Sequence, residues 1–293
     1  MARRPQRRPD ARGRGQLARS LATDLRAPSR ELAASFLEAP QLEEALAQVY
    51  AEVLRQSAGE PTPASGQKDA ASDKIARIVE GAIARWAGPL FDRFKLEYFV
   101  PLERAARGAF SKGAVQGAAK IGIHGSFDLR NPRVLQAIGD RANMLSGDVA
   151  DTTFDEIKSV IARGFYDDRL GPPDVARRLA AEFDFLTRTR SMLIARTETL
   201  VAQSSGAFRQ YEEIGVRGKD WLETDDGRTR TSHQRVKSVA IDEPFRLEDE
   251  KGRVSYLMFP GDPDGPPAEI CNCRCDHAPI VEEGRSGGFW DGS

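Results

Sequence analysis

The 293-residue sequence predicts an α+β protein, with a mainly helical N-terminal two-thirds followed by a small β-rich C-terminal module. Three observations support this class. Apolar residues recur at helical spacing through most of the chain up to Ile214, and short alternating segments begin only after Gly218. Helices therefore precede strands, which is typical of α+β proteins, whereas a parallel βαβ sheet needs the two to alternate.

Composition divides the chain into four regions. The stretch around residues 57–72 is rich in Pro, Gly, Ser and Ala without periodicity, which is typical of a linker. The predicted regions are a disordered basic arm at 1–30, a helical domain at 31–170 containing that linker, a C-terminal module at 171–281, and a flexible tail at 282–293.

Local signals place the helices and their breaks. Pro40 predicts a kink in a helix over 31–56, and Gly88-Pro89 predicts the end of the next helix. Thr153 followed by Glu156 has the pattern of a capping box. Gly113 and Gly117, four residues apart, predict a helix face that another helix can approach closely.

The C-terminal part predicts strands. Residues 219–223 and 236–241 have the composition of short strands, and residues 273–281 suggest a last one. Residues 245–247 and 254–258 alternate on either side of a turn at Lys251-Gly252, which predicts a β-hairpin.

The net charge of -1 conceals an uneven distribution. Residues 1–30 hold nine arginines and two aspartates, a charge of +7, so the remaining 263 residues carry -8. A flexible arginine-rich arm can bind phosphates by releasing counterions, and it can equally dock on an acidic protein or remain a solvated tail. The predicted polyanion-binding residues are Arg3, Arg4, Arg7, Arg8, Arg12 and Arg14.

Several classes of protein are excluded. No apolar run approaches the roughly 20 residues of a membrane-spanning helix, and the basic N-terminus lacks the apolar stretch of a secretory signal. Three cysteines cannot form a disulfide framework, which fits synthesis in a reducing cytoplasm.

Four motifs stand in order in the C-terminal hundred residues. They are Ala195-Arg196-Thr197-Glu198, Trp221 leading into residues 226–233 (DGRTRTSH), residues 259–263 (FPGDP), and Cys271-Asn272-Cys273-Arg274-Cys275. Together they resemble the phage Mu F-like, or phage head morphogenesis, family over about residues 171–280. The segment after His233 departs from that pattern because it lacks the glycine often found there.

The resemblance implies a minor head protein, made in the host cytoplasm and packaged in the capsid interior of the virion. Its implied partner is the portal protein or a scaffold, and double-stranded DNA is a further candidate through the N-terminal arm. No membrane, small-molecule substrate or enzymatic activity is expected. The rival from another class is a capsid-carried hydrolase or toxin-like enzyme that uses His233 and the cysteines.

The motif residues predict a structural network between the long helix and the strands, in which Arg–carboxylate pairs fix the docking geometry. In the catalytic alternative, His233 is a general base oriented by Asp226 or Glu198, but the sequence has no serine elbow, phosphate loop or H-E-x-x-H. No catalytic residue is therefore assigned. The structural set is Arg196, Glu198, Trp221, Asp226, Arg228, Arg230, His233, Pro260, Gly261, Asp262, Asn272 and Arg274.

The cysteines allow three interpretations. Cys271, Cys273, Cys275 and His277 alternate, so a straight strand would hold neighbouring members roughly 6–7 Å apart, too far for one zinc ion. A bent segment lets His233, Cys273 and Cys275, with a fourth ligand, form a structural zinc site. Burial of the cysteines as small apolar side chains and a late disulfide are the alternatives. No other cofactor is predicted.

Overall fold

The computed structural model describes residues 11–57, 70–124, 127, 130–224 and 227–280. A single π-type turn at Leu186–Arg190 separates two of its helices. The helices are α1 (Ala11–Leu37), α2 (Pro40–Ser57), α3 (Ala70–Ala119), α4 (Pro132–Tyr166), α5 (Pro172–Phe185), α6 (Ser191–Ile214) and the single-turn α7 (Pro267–Ile270).

Five short strands follow the long helices. They are β1 (Gly218–Leu222), β2 (Val239–Ala240), β3 (Phe245–Glu248), β4 (Val254–Leu257) and β5 (Asp276–Ile280). Strand β1 is central in an antiparallel sheet of order β2-β1-β5, where Trp221 is opposite His277. Strands β3 and β4 form the predicted hairpin, and Gly252 in its turn has a φ of 74°. The predicted α+β class is confirmed.

The prediction of a disordered arm is wrong for residues 11–30, which form most of α1. Ala18, Leu21, Ala22 and Leu25 are buried at helical spacing, so apolar burial offsets the ordering cost that the glycines and arginines suggested. Residues 1–10 lie outside the described residues, as do most of the linker and the predicted tail.

Helix α3 contradicts the predicted stop at Gly88-Pro89. The helix runs through Pro89 and Pro101 without a break. A proline inside a helix removes one hydrogen bond and costs about 3 kcal/mol. The cost is offset by a stripe of buried side chains that continues at intervals of three or four residues on both sides of Pro89: Val79, Ile83, Ala87, Phe91, Phe94 and Tyr98.

Pro40 and Thr153 also have structural roles that differ from the predicted ones. Pro40 begins α2 instead of kinking one helix, because proline lacks only an N–H that a first helical turn leaves unpaired. Thr153 is no cap: it lies inside α4, and its Oγ1 donates to the carbonyl of Val149 at 2.6 Å. A side chain that bonds back to the preceding turn replaces the predicted capping box.

The chain divides into two compact units, each assembled from separate segments. The first comprises residues 1–20, 104–138 and 193–293, and the second comprises residues 21–103 and 139–192. In the second unit, the ring of Phe36 contacts those of Trp86, Phe91 and Phe183 at centroid distances of 5.0–6.3 Å. Among the described helices, none combines the length and apolar character that crossing a membrane requires.

The first unit contains the close helix contact that the paired glycines predict. A Cβ added to Gly113 of α3 would lie 2.0 Å from the carbonyl oxygen of Gln203 in α6. The reverse holds for Gly206, whose added Cβ would lie 2.0 Å from the carbonyl of Phe110. Glycine is therefore required on both helices, and the prediction from Gly113 and Gly117 is confirmed.

Candidate metal centre

His233 occupies a buried position in the β-rich part of the first unit. It ends a single 3-10 turn, Thr231–His233, and is 1% exposed. Its ring meets the edge of Trp221 of β1 with centroids 5.1 Å apart and an interplanar angle of 78°. Trp221 in turn contacts Phe245 of β3, so aromatic packing holds the imidazole in place.

Cys273 and Cys275 lie together on a bend just before β5. The strand begins only at Asp276, and Asn272 has a φ of 56°, which turns the chain ahead of the cysteines. The backbone N–H of Asn272 donates to Thr197 Oγ1 of α6 at 2.9 Å, which anchors this bend to the long helix. The segment is therefore bent, as a metal site needs, and not straight.

The bend brings the three predicted ligand residues together. The Sγ atoms of Cys273 and Cys275 each lie 3.5 Å from Nδ1 of His233. All three ligand atoms lie within 4.8 Å of one another, and all three residues are buried. This cluster was predicted from sequence, although His233 lies 40 residues before Cys273 and 42 before Cys275.

Glu269 of α7 completes the arrangement. Its Oε2 lies 2.8 Å from His233 Nε2 and accepts the hydroxyl proton of Ser232, also at 2.8 Å. Glu269 is 8% exposed, so the carboxylate is a buried partner of the imidazole. Sequence reasoning missed it, because its only signal is an acidic residue two positions before Cys271.

The two cysteines differ in acidity. Hydrogen bonding from Cys275 lowers the pKa of Cys273 to about 7, outweighing the opposing effect of burial. The same contact, together with burial, raises the pKa of Cys275 well above its usual range. The coupled pair therefore loses its first proton more readily, and its second less readily, than isolated thiols do.

His277 lies apart from this cluster, although it shares the alternating pattern of the cysteines. Its ring is fully buried among those of Phe208, Tyr211 and Phe259. Burial lowers the pKa of His277 to about 3, so the imidazole is neutral in the folded protein. His277 is therefore a core residue of the C-terminal module.

Arg14 has a structural role in place of the predicted polyanion contact. Its guanidinium donates to the carbonyl of Cys275 at 2.9 Å and pairs with Asp276 at 3.4 Å. Lys120 Nζ forms an ion pair with the same carboxylate at 3.3 Å. Burial alone raises the pKa of Asp276, but Lys120 and Arg14 outweigh it and hold the pKa below its usual value. The other predicted arm residues, Arg3, Arg4, Arg7, Arg8 and the Arg12 side chain, lie outside the described part.

Among the described motif residues, Arg230 and His233 contact groups outside the predicted set of Arg–carboxylate pairs. Arg230 donates to the backbone carbonyl of Cys271 at 2.6 Å, and the carboxylate beside His233 is Glu269. Arg196 is exposed on α6, whereas Glu198 is buried. Asp226 lies outside the described residues; Arg228 is exposed, and Arg274 is half-buried.

The proline-glycine-aspartate loop is ordered by one buried carboxylate. Asp262 accepts the amide protons of Met258 at 2.6 Å and Asp264 at 3.1 Å. Buried Pro260 leads into Gly261, which has a φ of 83°, and a Cβ there would meet Leu200 of α6 at 3.1 Å. The motif therefore shapes a tight turn packed on the long helix.

A cleft of about 510 Å³ adjoins the cluster. Its wall includes Trp221, His233, Lys237 and Ser238. The cleft is mainly polar, and of the three clustered residues only His233 lines it.

Taken together, the long helix, the small antiparallel sheet and the bend with its two cysteines define an α+β module with a buried His–Cys cluster. Residues 155–278 match the model of the family described as Phage Mu protein F like protein. The match confirms the resemblance inferred from the four motifs, and it supports a phage head morphogenesis protein.

A curated relative has a different description. The chain is 32% identical over 99 residues to NAD(+)--arginine ADP-ribosyltransferase EFV from Enterococcus faecalis (strain ATCC 700802 / V583). The alignment covers 32% of this chain and 19% of that protein, so the chain spans about a fifth of the length of its relative. No solved structure matches the chain significantly.

Proposed function

We propose that the protein is a non-enzymatic minor head protein of a bacteriophage that binds the portal or the scaffold inside the capsid. The observation that carries the proposal is the phage Mu F-like match over residues 155–278. The module supports it through two motif residues with structural contacts: Thr197 of α6 accepts a hydrogen bond from the backbone N–H of Asn272, and Asp262 accepts one from the backbone N–H of Met258.

The basic N-terminal segment supplies a second contact in this proposal, to double-stranded DNA. Arg3, Arg4, Arg7 and Arg8 concentrate positive charge ahead of α1. When such a segment neutralises phosphates, its affinity for DNA falls steeply with salt concentration and does not depend on the DNA sequence. Arg14 is excluded from this role by its contacts with Cys275 and Asp276.

The test of the portal contact is co-expression of the full chain with the portal protein encoded in the same genome. Affinity purification of the portal is expected to recover the chain in a defined ratio, and phage lacking the gene should form defective heads. Normal infectious heads without the gene, together with no association with portal or scaffold, would contradict the proposal.

The test of the DNA contact replaces Arg3, Arg4, Arg7 and Arg8 with alanine in the full chain. Deletion of residues 1–30 is unsuitable because it removes most of α1. The variant should lose DNA affinity and most of its salt dependence while retaining stability and portal binding. Unchanged DNA affinity in the variant would leave the arginines without the proposed role.

The second candidate is a capsid-carried hydrolase or toxin-like enzyme. One observation favours it: Cys273, His233 and Glu269 form a chain of nucleophile, base and orienting carboxylate, with contacts of 3.5 and 2.8 Å. Against it, Cys273 is 5% exposed and does not line the neighbouring cleft. Trapping of Cys273 by a thiol-reactive substrate analogue in the folded protein would favour the enzyme.

A further inference from the structure

We propose that His233, Cys273 and Cys275 bind one zinc ion, with Glu269 as the carboxylate that orients the histidine. The ion would link the turn before β2 to the bend before β5, and Glu269 would connect α7 to the bound histidine. This inference concerns the stability of the module and does not depend on the proposed role in head assembly.

The distances within the cluster are those of a zinc site. Zinc bonds of about 2.3 Å to sulfur and 2.0–2.1 Å to nitrogen, arranged tetrahedrally, place the nitrogen about 3.6 Å from each sulfur. His233 Nδ1 lies 3.5 Å from both Cys273 Sγ and Cys275 Sγ. Both distances fit one ion between the three atoms.

The two nitrogens of His233 have the division of roles found in metal-bound histidines. Glu269 Oε2, 2.8 Å from Nε2, is placed to accept the Nε2 proton. The Nδ1 lone pair then faces the two sulfurs and is available to a metal. Ser232 donates to the same Glu269 oxygen, which holds the carboxylate in place.

Burial makes the cluster costly without an ion. His233, Cys273 and Cys275 are each at most 5% exposed. A neutral imidazole can accept one proton at Nδ1, which leaves the other thiol with only the weak hydrogen bond to the neighbouring sulfur. A zinc ion satisfies both sulfurs and the nitrogen together, and thiolate and imidazole are the ligands that zinc prefers.

Cys271 is not part of the proposed ligand set. Its thiol is half-buried and packs at the margin of the apolar core formed by Leu200, Trp221 and Phe245, and it does not belong to the three-residue group. Its carbonyl is held by Arg230 at 2.6 Å. The fourth zinc ligand is therefore assigned to water or to another small ligand, and Cys271→Ser is the matched control.

The experiment is metal analysis of the full chain purified at neutral pH without chelator. Wild type and Cys271→Ser are expected to retain about one equivalent of zinc, and Cys273→Ser less than about a tenth. Zinc below about a tenth of an equivalent in wild type, or equal loss in both cysteine variants, would overturn the proposal. So would a Cys273–Cys275 disulfide in protein freshly purified from a reducing cytoplasm.

Two further measurements cover the case in which Cys273→Ser does not fold. Cobalt added to metal-free wild type should produce a thiolate-to-cobalt charge-transfer band, absent after alkylation of the cysteines. Glu269→Gln, which preserves the shape of the side chain, should weaken zinc affinity about 10- to 100-fold. Absence of the band, or unchanged zinc affinity in Glu269→Gln, would contradict the assigned geometry.

Discussion

At the scale of single residues, Lys219 is a cation enclosed by the C-terminal module. Its side chain is fully buried, and Nζ donates to the carbonyl of Ile241 at 2.9 Å. The ammonium lies over the rings of Phe208 and Phe245, 4.7 and 5.3 Å from their centroids. Burial lowers the pKa of Lys219 to about 8, although Asp262 and other acidic groups oppose the change. The aromatic contacts recover only part of the lost hydration.

This lysine predicts a stability that depends on pH. Below pH 8 the group is protonated in both states, whereas between about pH 8 and 10.5 the unfolded chain binds more proton. The free energy of unfolding of wild type relative to Lys219→Met should therefore rise across that range, by about 1–3 kcal/mol. Urea denaturation of both proteins at several pH values measures it, and a difference that is flat or falls with pH would contradict the pKa assignment.

At the scale of secondary-structure elements, the contact between α3 and α6 depends on residues without side chains. Gly113 and Gly206 face the backbone of the opposite helix, where any Cβ would overlap a carbonyl. Glycine costs each helix about 1 kcal/mol relative to alanine. The close approach is retained because the packing of two helices outweighs that local cost.

Gly113→Ala is therefore expected to destabilise the protein in spite of alanine's better helix propensity. The added methyl group meets the backbone of Gln203, so the free energy of unfolding should fall by about 1–3 kcal/mol or more. Gly108→Ala in the same helix is the matched control, since no atom lies within 4 Å of its added Cβ. That control should gain about 0.5–1 kcal/mol. Thermal or urea unfolding measures both, and equal effects would refute the close contact.

At the scale of the whole molecule, residues from opposite ends of the chain meet on one carboxylate. Arg14 of α1 and Lys120, which follows α3, both form ion pairs with Asp276, the first residue of β5. Lys120 also donates to the carbonyl of His277 at 2.6 Å. Arg14 also donates to the carbonyl of Cys275, a contact that spans 261 residues of sequence within the first compact unit.

Arg14→Ala should destabilise this unit by about 1–3 kcal/mol, because it removes two charge-assisted contacts from a largely buried site. Arg30→Ala is the control: Arg30 is exposed on the same helix and carries the same charge, so its loss should change stability by less than about 0.5 kcal/mol. Urea unfolding separates the two. If Arg30→Ala costs as much as Arg14→Ala, the effect is one of net charge and not of the Asp276 pairing.

Much of the fold could be predicted from local pattern. The hairpin of β3 and β4, the helical character of most of the chain up to Ile214, and the close glycine contact follow from periodicity and turn residues. The predicted helix end at Pro89 and the predicted disorder of residues 11–30 are wrong. In both places, burial of apolar side chains against residues distant in sequence outweighs the local free-energy cost of forming the helix. Local signals measure the cost of an element and not its tertiary compensation.

The candidate site divides in the same way. The sequence by itself determined the resemblance of the C-terminal module to the phage Mu F-like family, through four ordered motifs, and it identified His233, Cys273 and Cys275 as candidate metal ligands. Only the tertiary structure decided that Glu269 orients the histidine, that His277 belongs to the core, and that Arg14 is committed to Asp276. The physical reason is that a sequence motif specifies only residue types and their order. Hydrogen bonds and ion pairs form between atoms a few ångströms apart, and the folding of the chain decides which atoms those are.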